Sequence, residues 1–319
     1  MTLKLSVIGC GYLGATHAAC MSSLGFEVIG VDTDQSKVDL LSRGELPFYE
    51  PGLDTLLAAE MKTGRLSFTT DFSAVADADV HFICVGTPQS KDGLAADLSY
   101  VKSSVAAIAP HLKEGSLVVG KSTVPVGTAQ LLRDQLATSA PQADLAWNPE
   151  FLREGFAVED TLTPNRLVVG VANDRAEQIL KDVYKPIIDL GTPWIRADLP
   201  TSELVKVAAN SFLATKISLS TLWLKSARQQ VEMSQYWRRQ LGMTRELAID
   251  SCKRELALVE DVYRKISVHL WLAPKNLAQI KHLNSYAKSM QSICELVNVS
   301  SMLFAQIFLK TSLNTRLQY

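Results

Sequence analysis

Residues 3–14 read "LKLSVIGCGYLG", a short apolar run that leads into three glycines spaced G-x-G-x-x-G. The apolar run is typical of a buried strand, and the spacing of "YLGATHAACMSSLG" predicts a helix directly after it. Between a strand and a helix, Gly9 permits a tight turn, Gly11 lets a phosphate approach the backbone, and Gly14 allows close helix–strand packing. A second predicted strand, "FEVIGVD", ends at Asp32.

This arrangement predicts a dinucleotide site. The N-terminus of the helix faces the position that a pyrophosphate would take. The carboxylate of Asp32 lies at the sequence distance from the glycines at which it accepts hydrogen bonds from a ribose diol. Because a carboxylate there would repel a 2′-phosphate, NAD is favoured over NADP. The glycines alone would also fit a turn without a ligand, but the strand, the helix and the acidic residue together favour NAD binding.

Predicted strands alternate with predicted helices over residues 1–195, so we expect an α/β domain with a Rossmann-like, doubly wound parallel sheet. The stretch "LPTSELVKVAANSFLATKIS" then has helical spacing, Pro200 near its start and no glycine. It predicts a long connecting helix that begins within residues 196–222.

The bulk composition suits a globular chain and excludes several classes of partner. Of the 319 residues, 47% are hydrophobic, and the formal net charge of −1 provides no basic field for nucleic acid. We find no signal peptide and no uncharged apolar run near the roughly 20 residues that a membrane span needs. Five scattered cysteines suggest reduced thiols. We therefore expect a cytoplasmic protein with no nucleic-acid or membrane partner and no metal site.

Six motifs carry a resemblance to a known family: "GYLGATHAA", "PFYEPGL", "VGTP", "GKSTVPVGT", "NPEFLREG" and "ELVKVAAN". In this order, over residues 1 to about 218, they resemble the UDP-glucose/GDP-mannose dehydrogenase family. The resemblance implies oxidation of a sugar C6 alcohol to a carboxylate with two NAD⁺, by way of a cysteine thioester that water hydrolyses. It favours UDP-glucose as substrate and UDP-glucuronate as product, with another nucleotide sugar as the alternative. Family members are usually homodimers.

The resemblance also implies two sets of site residues. The NAD-contacting set comprises Gly9, Gly11, Leu13, Gly14, Asp32, Lys37, Thr87, Thr123 and Glu154. The catalytic set comprises Thr123, Glu150, Glu154, Lys206 and Asn210.

Each catalytic residue has an implied role. Thr123 would touch the nicotinamide side and a reaction water, and Glu150 or Glu154 would act as general base in hydrolysis. Lys206 and Asn210 are four residues apart, so they share a helix face, which suits stabilisation of an oxyanion. Without the resemblance, these would be ordinary loop and helix-surface residues. Two other readings stay open: an NAD-binding module without catalysis, and a hydroxyacid-type dehydrogenase, against which "NPEFLREG" and "GKSTVPVGT" argue.

The family pattern breaks after about residue 218. Sixteen of the seventeen glycines precede Thr192, with Gly242 as the exception. The family's second half carries a segment close to "GFGGGCLPKD" with the nucleophilic cysteine. Here Cys252 lies in "IDSCKRE" and Cys294 in "QSICELV", and neither has glycines beside it. Cys84, in "HFICVGTP", is expected to be a buried strand residue.

The genetic code suggests a cause for the break. Residues 256–266, "LALVEDVYRKI", permit a coding that reads "GFGGGCLPKD" when each codon begins one base earlier. Residues 240–254 likewise permit "IGHDARIGNRFLQAG", and the stretch near 276–294 permits "EEFGADQALKFLCEVDAINM". We infer a one-nucleotide frameshift between about Ile217 and Trp223. Residues 223–319 would then be an aberrant segment, irregular or helical but non-native, because out-of-frame sequence has no consistent core.

We predict that the coding DNA of residues 256–266 contains the family's cysteine segment in the shifted frame. Sequencing this region together with codons 215–225 tests the prediction and locates the shift. Codons that translate in no frame to "GFGGGCLPKD" would contradict it.

Overall fold

The computed structural model of this protein describes residues 3–90 and 95–229. Its strands are β1 (Lys4–Ile8), β2 (Glu27–Val31), β3 (Leu66–Thr69), β4 (Val80–Ile83), β5 (Leu117–Gly120), β6 (Asp144–Trp147), β7 (Leu167–Val171) and β8 (Trp194–Ala197). Its α-helices are α1 (Tyr12–Ser23), α2 (Gln35–Ser42), α3 (Leu53–Thr63), α4 (Ser99–Ile108), α5 (Thr128–Ser139), α6 (Ala157–Leu162), α7 (Asp174–Val183), α8 (Lys185–Ile188) and α9 (Leu199–Gln229).

The strands form an eight-stranded sheet in the order β3-β2-β1-β4-β5-β6-β7-β8. The first six follow the order of dinucleotide-binding folds, in which ligands bind where the strand order reverses, here between β1 and β4. The predicted Rossmann-like, doubly wound architecture is confirmed.

One junction departs from the parallel pattern. β6 and β7 pair antiparallel, with Trp147 opposite Gly170. The connection between them, residues 148–166, contains only the short helix α6 and does not carry the chain back across a face of the sheet. The chain therefore re-enters the sheet from the carboxyl edge of β6, and that connection stays where a ligand would bind.

Apolar side chains cover both faces of the sheet. Successive residues of a strand point to opposite faces, so Phe82 and Ile83 of β4 belong to different buried clusters. The cluster with Phe82 packs under α1, α3 and α7, and the cluster with Ile83 packs under α4 and α5. A sheet buried on both faces explains why its strands read as continuous apolar runs.

Helix α9 leaves the sheet directly after β8 and is fixed by one buried carboxylate. Glu203 accepts hydrogen bonds from the backbone N–H groups of Gly127 (2.7 Å) and Ala129 (2.6 Å) at the start of α5. Burial raises the pKa of Glu203 to about 7. This contact sets which face of α9 turns toward the sheet edge.

The predicted connecting helix corresponds to α9, whose backbone continues to Gln229. The predicted domain boundaries at residues 195 and 222 stay predictions. Of the predicted aberrant segment, residues 223–319, the part from residue 230 onward lies outside the described residues. Within residues 3–90 and 95–229, none of the helices has the length and apolar character that crossing a bilayer demands.

Gly120→Ala should destabilise the sheet. An added Cβ would lie 2.1 Å from the buried ring of Trp147, so strand or ring must shift, and overpacking of this kind costs about 1–3 kcal/mol. The control is Gly86→Ala, whose added Cβ meets nothing within 4 Å. Urea unfolding followed by circular dichroism should show a lower midpoint for Gly120→Ala only; equal midpoints would contradict the packing argument.

Candidate functional site

The glycine turn between β1 and α1 is tight on one side and open on the other. An added Cβ at Gly14 would lie 1.8 Å from the carbonyl oxygen of Gly9, and one at Gly9, whose φ is +89°, would lie 2.7 Å from Val85. At Gly11 an added Cβ would meet nothing within 4 Å. The helix therefore packs closely on the sheet, while the space over Gly11 is open for a phosphate beside the helix N-terminus.

Asp32 is buried beside this turn. Its Oδ2 accepts hydrogen bonds from the backbone N–H of Cys10 (2.7 Å) and from the ammonium of Lys37 (2.8 Å), and its Oδ1 accepts from the N–H of Asp34 (3.0 Å). The carboxylate is thus fixed at the carboxyl end of β2. The structure brings together Asp32, which the sequence pattern predicted to contact the cofactor, and Lys37, for which the family resemblance implied the same role.

A hydrogen bond links the loops that follow β4 and β5 at the carboxyl edge of the sheet. The hydroxyl of Thr87 donates to the carbonyl oxygen of Thr123 at 2.7 Å. Leu13, in the first turn of α1, lines the adjoining cleft of about 260 Å³. The residues predicted to contact the cofactor therefore lie along one edge of the sheet, although their individual roles stay predictions.

Three of the predicted catalytic residues, Glu150, Lys206 and Asn210, line that cleft, whereas Thr123 and Glu154 lie outside its lining. The ammonium of Lys206 on α9 lies 2.9 Å from Oε1 of Glu150, and the N–H of Leu152 donates to Oε2 of Glu150 at 2.7 Å. Lys206 is buried, and its ammonium lies 5.3 Å from the centroid of the Phe151 ring. Asn210, one turn further along α9, lines the same cleft. Lys206 and Asn210, which the four-residue spacing predicted to share a helix face, thus both line the cleft.

Glu154, the second predicted carboxylate, is exposed on the same loop. Burial and the hydrogen bond to Glu50 raise the pKa of Tyr12, and the charge of Glu154 adds a smaller effect in the same direction. The loop that carries Glu150 and Glu154, residues 149–156, is called the carboxylate loop below.

Sequence reasoning missed two buried charges at this site. Glu50, in "PFYEPGL", accepts hydrogen bonds from the Tyr12 hydroxyl and from the N–H groups of Gly155 and Ala157. Lys121, in "GKSTVPVGT", lies in the cleft lining. A charged residue directly after an apolar strand was the signal that could have identified Lys121.

Lys121 is held without a carboxylate partner in the described part of the chain. Its ammonium donates to Oδ1 of Asn148 (2.9 Å), which also accepts from the hydroxyl of Tyr184 (2.7 Å). The amide of Asn148 donates in turn to the carbonyl oxygen of Val168 on β7 (2.9 Å). Burial lowers the pKa of Lys121 to about 8. This network forms the floor of the cleft where β6 and β7 reverse direction.

The described cysteines are unsuited to nucleophilic chemistry. Cys10, Cys20 and Cys84 are free and buried. Burial raises the pKa of Cys20 to about 12 and that of Cys84 to about 12, so both remain thiols near neutral pH. Cys84 is buried, as the sequence predicted, but it directly follows β4 and is not part of the strand.

Comparison with known proteins identifies relatives of most of the described region. Residues 3–188 match the model of the UDP-glucose/GDP-mannose dehydrogenase family, NAD binding domain. The chain is 43% identical over 221 residues to UDP-glucose 6-dehydrogenase of Rhizobium meliloti (strain 1021), which covers 68% of this chain and 51% of that protein. It is 42% identical over 219 residues to UDP-glucose 6-dehydrogenase TuaD of Bacillus subtilis (strain 168), covering 67% and 47%. The chain thus spans about half the length of these curated relatives.

Two solved structures are also similar. A UDP-glucose dehydrogenase from Pyrobaculum islandicum superposes with a TM-score of 0.70 at 34% identity, covering 85% of this chain and 69% of that one. A ternary complex of GDP-mannose dehydrogenase from Pseudomonas aeruginosa gives a TM-score of 0.70 at 29% identity, covering 84% and 69%. The predicted cofactor is confirmed, since the matched region is an NAD-binding domain.

Asp32→Ala and Gly11→Ala should each weaken NADH binding. The first removes the carboxylate placed for the ribose diol, and the second fills the open space over the turn. Loss of a hydrogen bond to a charged group corresponds to roughly tenfold or more in affinity. The control is Asp39→Ala, which removes an exposed carboxylate from α2. Calorimetry should show weakened binding in the two site variants alone, and unchanged affinities would refute the placement of the cofactor.

Proposed function

We propose that this chain, which belongs to the UDP-glucose/GDP-mannose dehydrogenase family, derives from an enzyme that oxidises UDP-glucose to UDP-glucuronate with NAD⁺. The observation that carries the proposal is the Glu150–Lys206 ion pair, which lines the same cleft as Leu13 of the cofactor turn. UDP-glucose is the favoured substrate because the relatives from Rhizobium meliloti and Bacillus subtilis, both above 40% identity, are UDP-glucose 6-dehydrogenases.

The residues of the cleft suit the first oxidation. Loss of hydride from C6 requires removal of the proton from the C6 hydroxyl, and negative charge develops on that oxygen. The ammonium of Lys206 and the amide of Asn210 line one side of the cleft and would stabilise this charge. Bound NAD⁺ supplies the hydride acceptor.

Lys206 is pre-positioned for that role. Glu203, one turn earlier on α9, anchors the helix to α5, and Glu150 and the ring of Phe151 hold the ammonium in place. Electrostatic stabilisation is effective when charges need no reorganisation during the reaction. We assign oxyanion stabilisation to Lys206 and Asn210, and general-base catalysis in hydrolysis to Glu150 or Glu154, with Thr123 beside the reaction water.

The second oxidation needs a thiolate, which the described residues do not supply. The three described thiols are buried, and two have a pKa raised to about 12. The segment "GFGGGCLPKD" is absent from the printed sequence, and the inferred frameshift accounts for its loss. We therefore propose that the chain as written binds NAD and does not form UDP-glucuronate.

Two alternatives are carried with this proposal. The similarity to GDP-mannose dehydrogenase supports a different nucleotide sugar as substrate. The buried thiols support an NAD-binding remnant without catalysis. We also propose a cytoplasmic homodimer, as is usual in the family, and the exposed Leu204, Phe212 and Leu219 on α9 offer an apolar surface for it.

The chain as written should form no UDP-glucuronate from UDP-glucose and NAD⁺, and the frame-restored chain should form it. Loss of a covalent nucleophile typically removes several orders of magnitude in rate. The matched control is the restored chain with Ser in place of the cysteine of "GFGGGCLPKD". Comparable turnover by the chain as written would refute the loss of function. An inactive restored chain that turns over GDP-mannose would refute UDP-glucose as the substrate.

A further inference from the structure

Glu50 is a buried carboxylate that links two distant parts of the chain. It is 2% exposed and lies just before α3. Its Oε2 accepts hydrogen bonds from the Tyr12 hydroxyl (2.6 Å) and from the N–H of Gly155 (2.9 Å), and its Oε1 accepts from the N–H of Ala157 (2.7 Å). These three hydrogen bonds offset the free-energy cost of burying the carboxylate of Glu50.

On one side, Glu50 reaches the cofactor turn. Tyr12 is the first residue of α1 and directly follows Gly11, over which the backbone is open to a phosphate. The Tyr12 ring packs on Phe48 with a centroid distance of 5.3 Å, which fixes the direction of its hydroxyl. Partial burial, followed by the hydrogen bond to Glu50, raises the pKa of Tyr12, so the hydroxyl remains a donor at neutral pH.

On the other side, Glu50 holds the end of the carboxylate loop. Gly155 has a φ of +87°, and Ala157 begins α6, so the two bonded amides flank the point where loop becomes helix. In the same segment, Nη2 and Nε of Arg153 donate hydrogen bonds to the carboxylate of Asp160 on α6 at 2.8 and 3.0 Å, which links the loop to the helix. Motion of these amides would therefore displace Glu150 and Glu154.

We propose that Glu50 is a positioning residue that couples the cofactor turn to the carboxylate loop through the hydroxyl of Tyr12. A cofactor that orders the first turn of α1 restrains Tyr12, and Tyr12 and Glu50 then restrain the backbone that carries the two carboxylates. Such coupling requires no large movement, because restriction of motion at one site lowers the entropy lost at the next. The inference rests on the proposed function only in that general-base catalysis is assigned there to Glu150 or Glu154.

Hydrogen exchange of the full chain, with and without NADH, tests the coupling. In the parent chain, NADH should slow exchange of a peptide spanning residues 149–157 by about tenfold. In Tyr12→Phe, which removes one hydroxyl and keeps the ring, NADH should still bind, and the slowing in this peptide should fall to less than about twofold. Tyr49→Phe removes the hydroxyl of an exposed neighbour of Glu50 and should match the parent.

The ligand-dependent difference separates coupling from a structural role, since a structural defect would raise exchange equally with and without NADH. Glu50→Gln provides a second variant, with the same expected loss of the NADH-dependent slowing. Full slowing in Tyr12→Phe, with NADH bound, would overturn this inference and leave the proposed function intact. A parent chain that does not bind NADH would overturn both.

Discussion

The close approach of Gly14 to the carbonyl oxygen of Gly9 determines where α1 lies on the sheet. No side chain fits between them, because an added Cβ would lie 1.8 Å from that oxygen. With the helix so close, its N-terminus lies at the carboxyl edge of the paired strands β1 and β4, Leu13 lines the cleft, and the Tyr12 hydroxyl donates to Glu50. The cofactor turn, the cleft wall and the support of the carboxylate loop therefore all depend on one contact between backbone atoms.

The reversal between β6 and β7 has a comparable influence on the other half of the site. It keeps residues 148–166 at the carboxyl edge of the sheet and places β7 beside Asn148. Asn148 can then join Lys121 to the backbone of β7, and Glu150 can meet Lys206 of α9. A parallel crossover would have carried this connection over one face of the sheet and away from the cofactor edge.

The sequence predicted those features that depend on neighbours along the chain. The glycine spacing and Asp32 identified the cofactor turn, and the four-residue spacing of Lys206 and Asn210 identified their shared face. Glu50 was not predicted, because its partners on the carboxylate loop lie 105 and 107 residues away. The direction of β7 was also missed, since an apolar run is the same read in either direction.

The buried ammonium of Lys121 affects the whole folded domain as well as the cleft. Its pKa is about 8 in the folded chain, against an ordinary value of 10.5. At Lys121 the unfolded chain therefore binds more protons than the folded chain between these two pH values, so the contribution of this residue to stability rises with pH. From this residue alone, the gain is about 3 kcal/mol, a substantial part of the net stability of a typical domain. The buried charge of Lys121 thus opposes folding near neutrality, and this cost is lost as the ammonium gives up its proton in base.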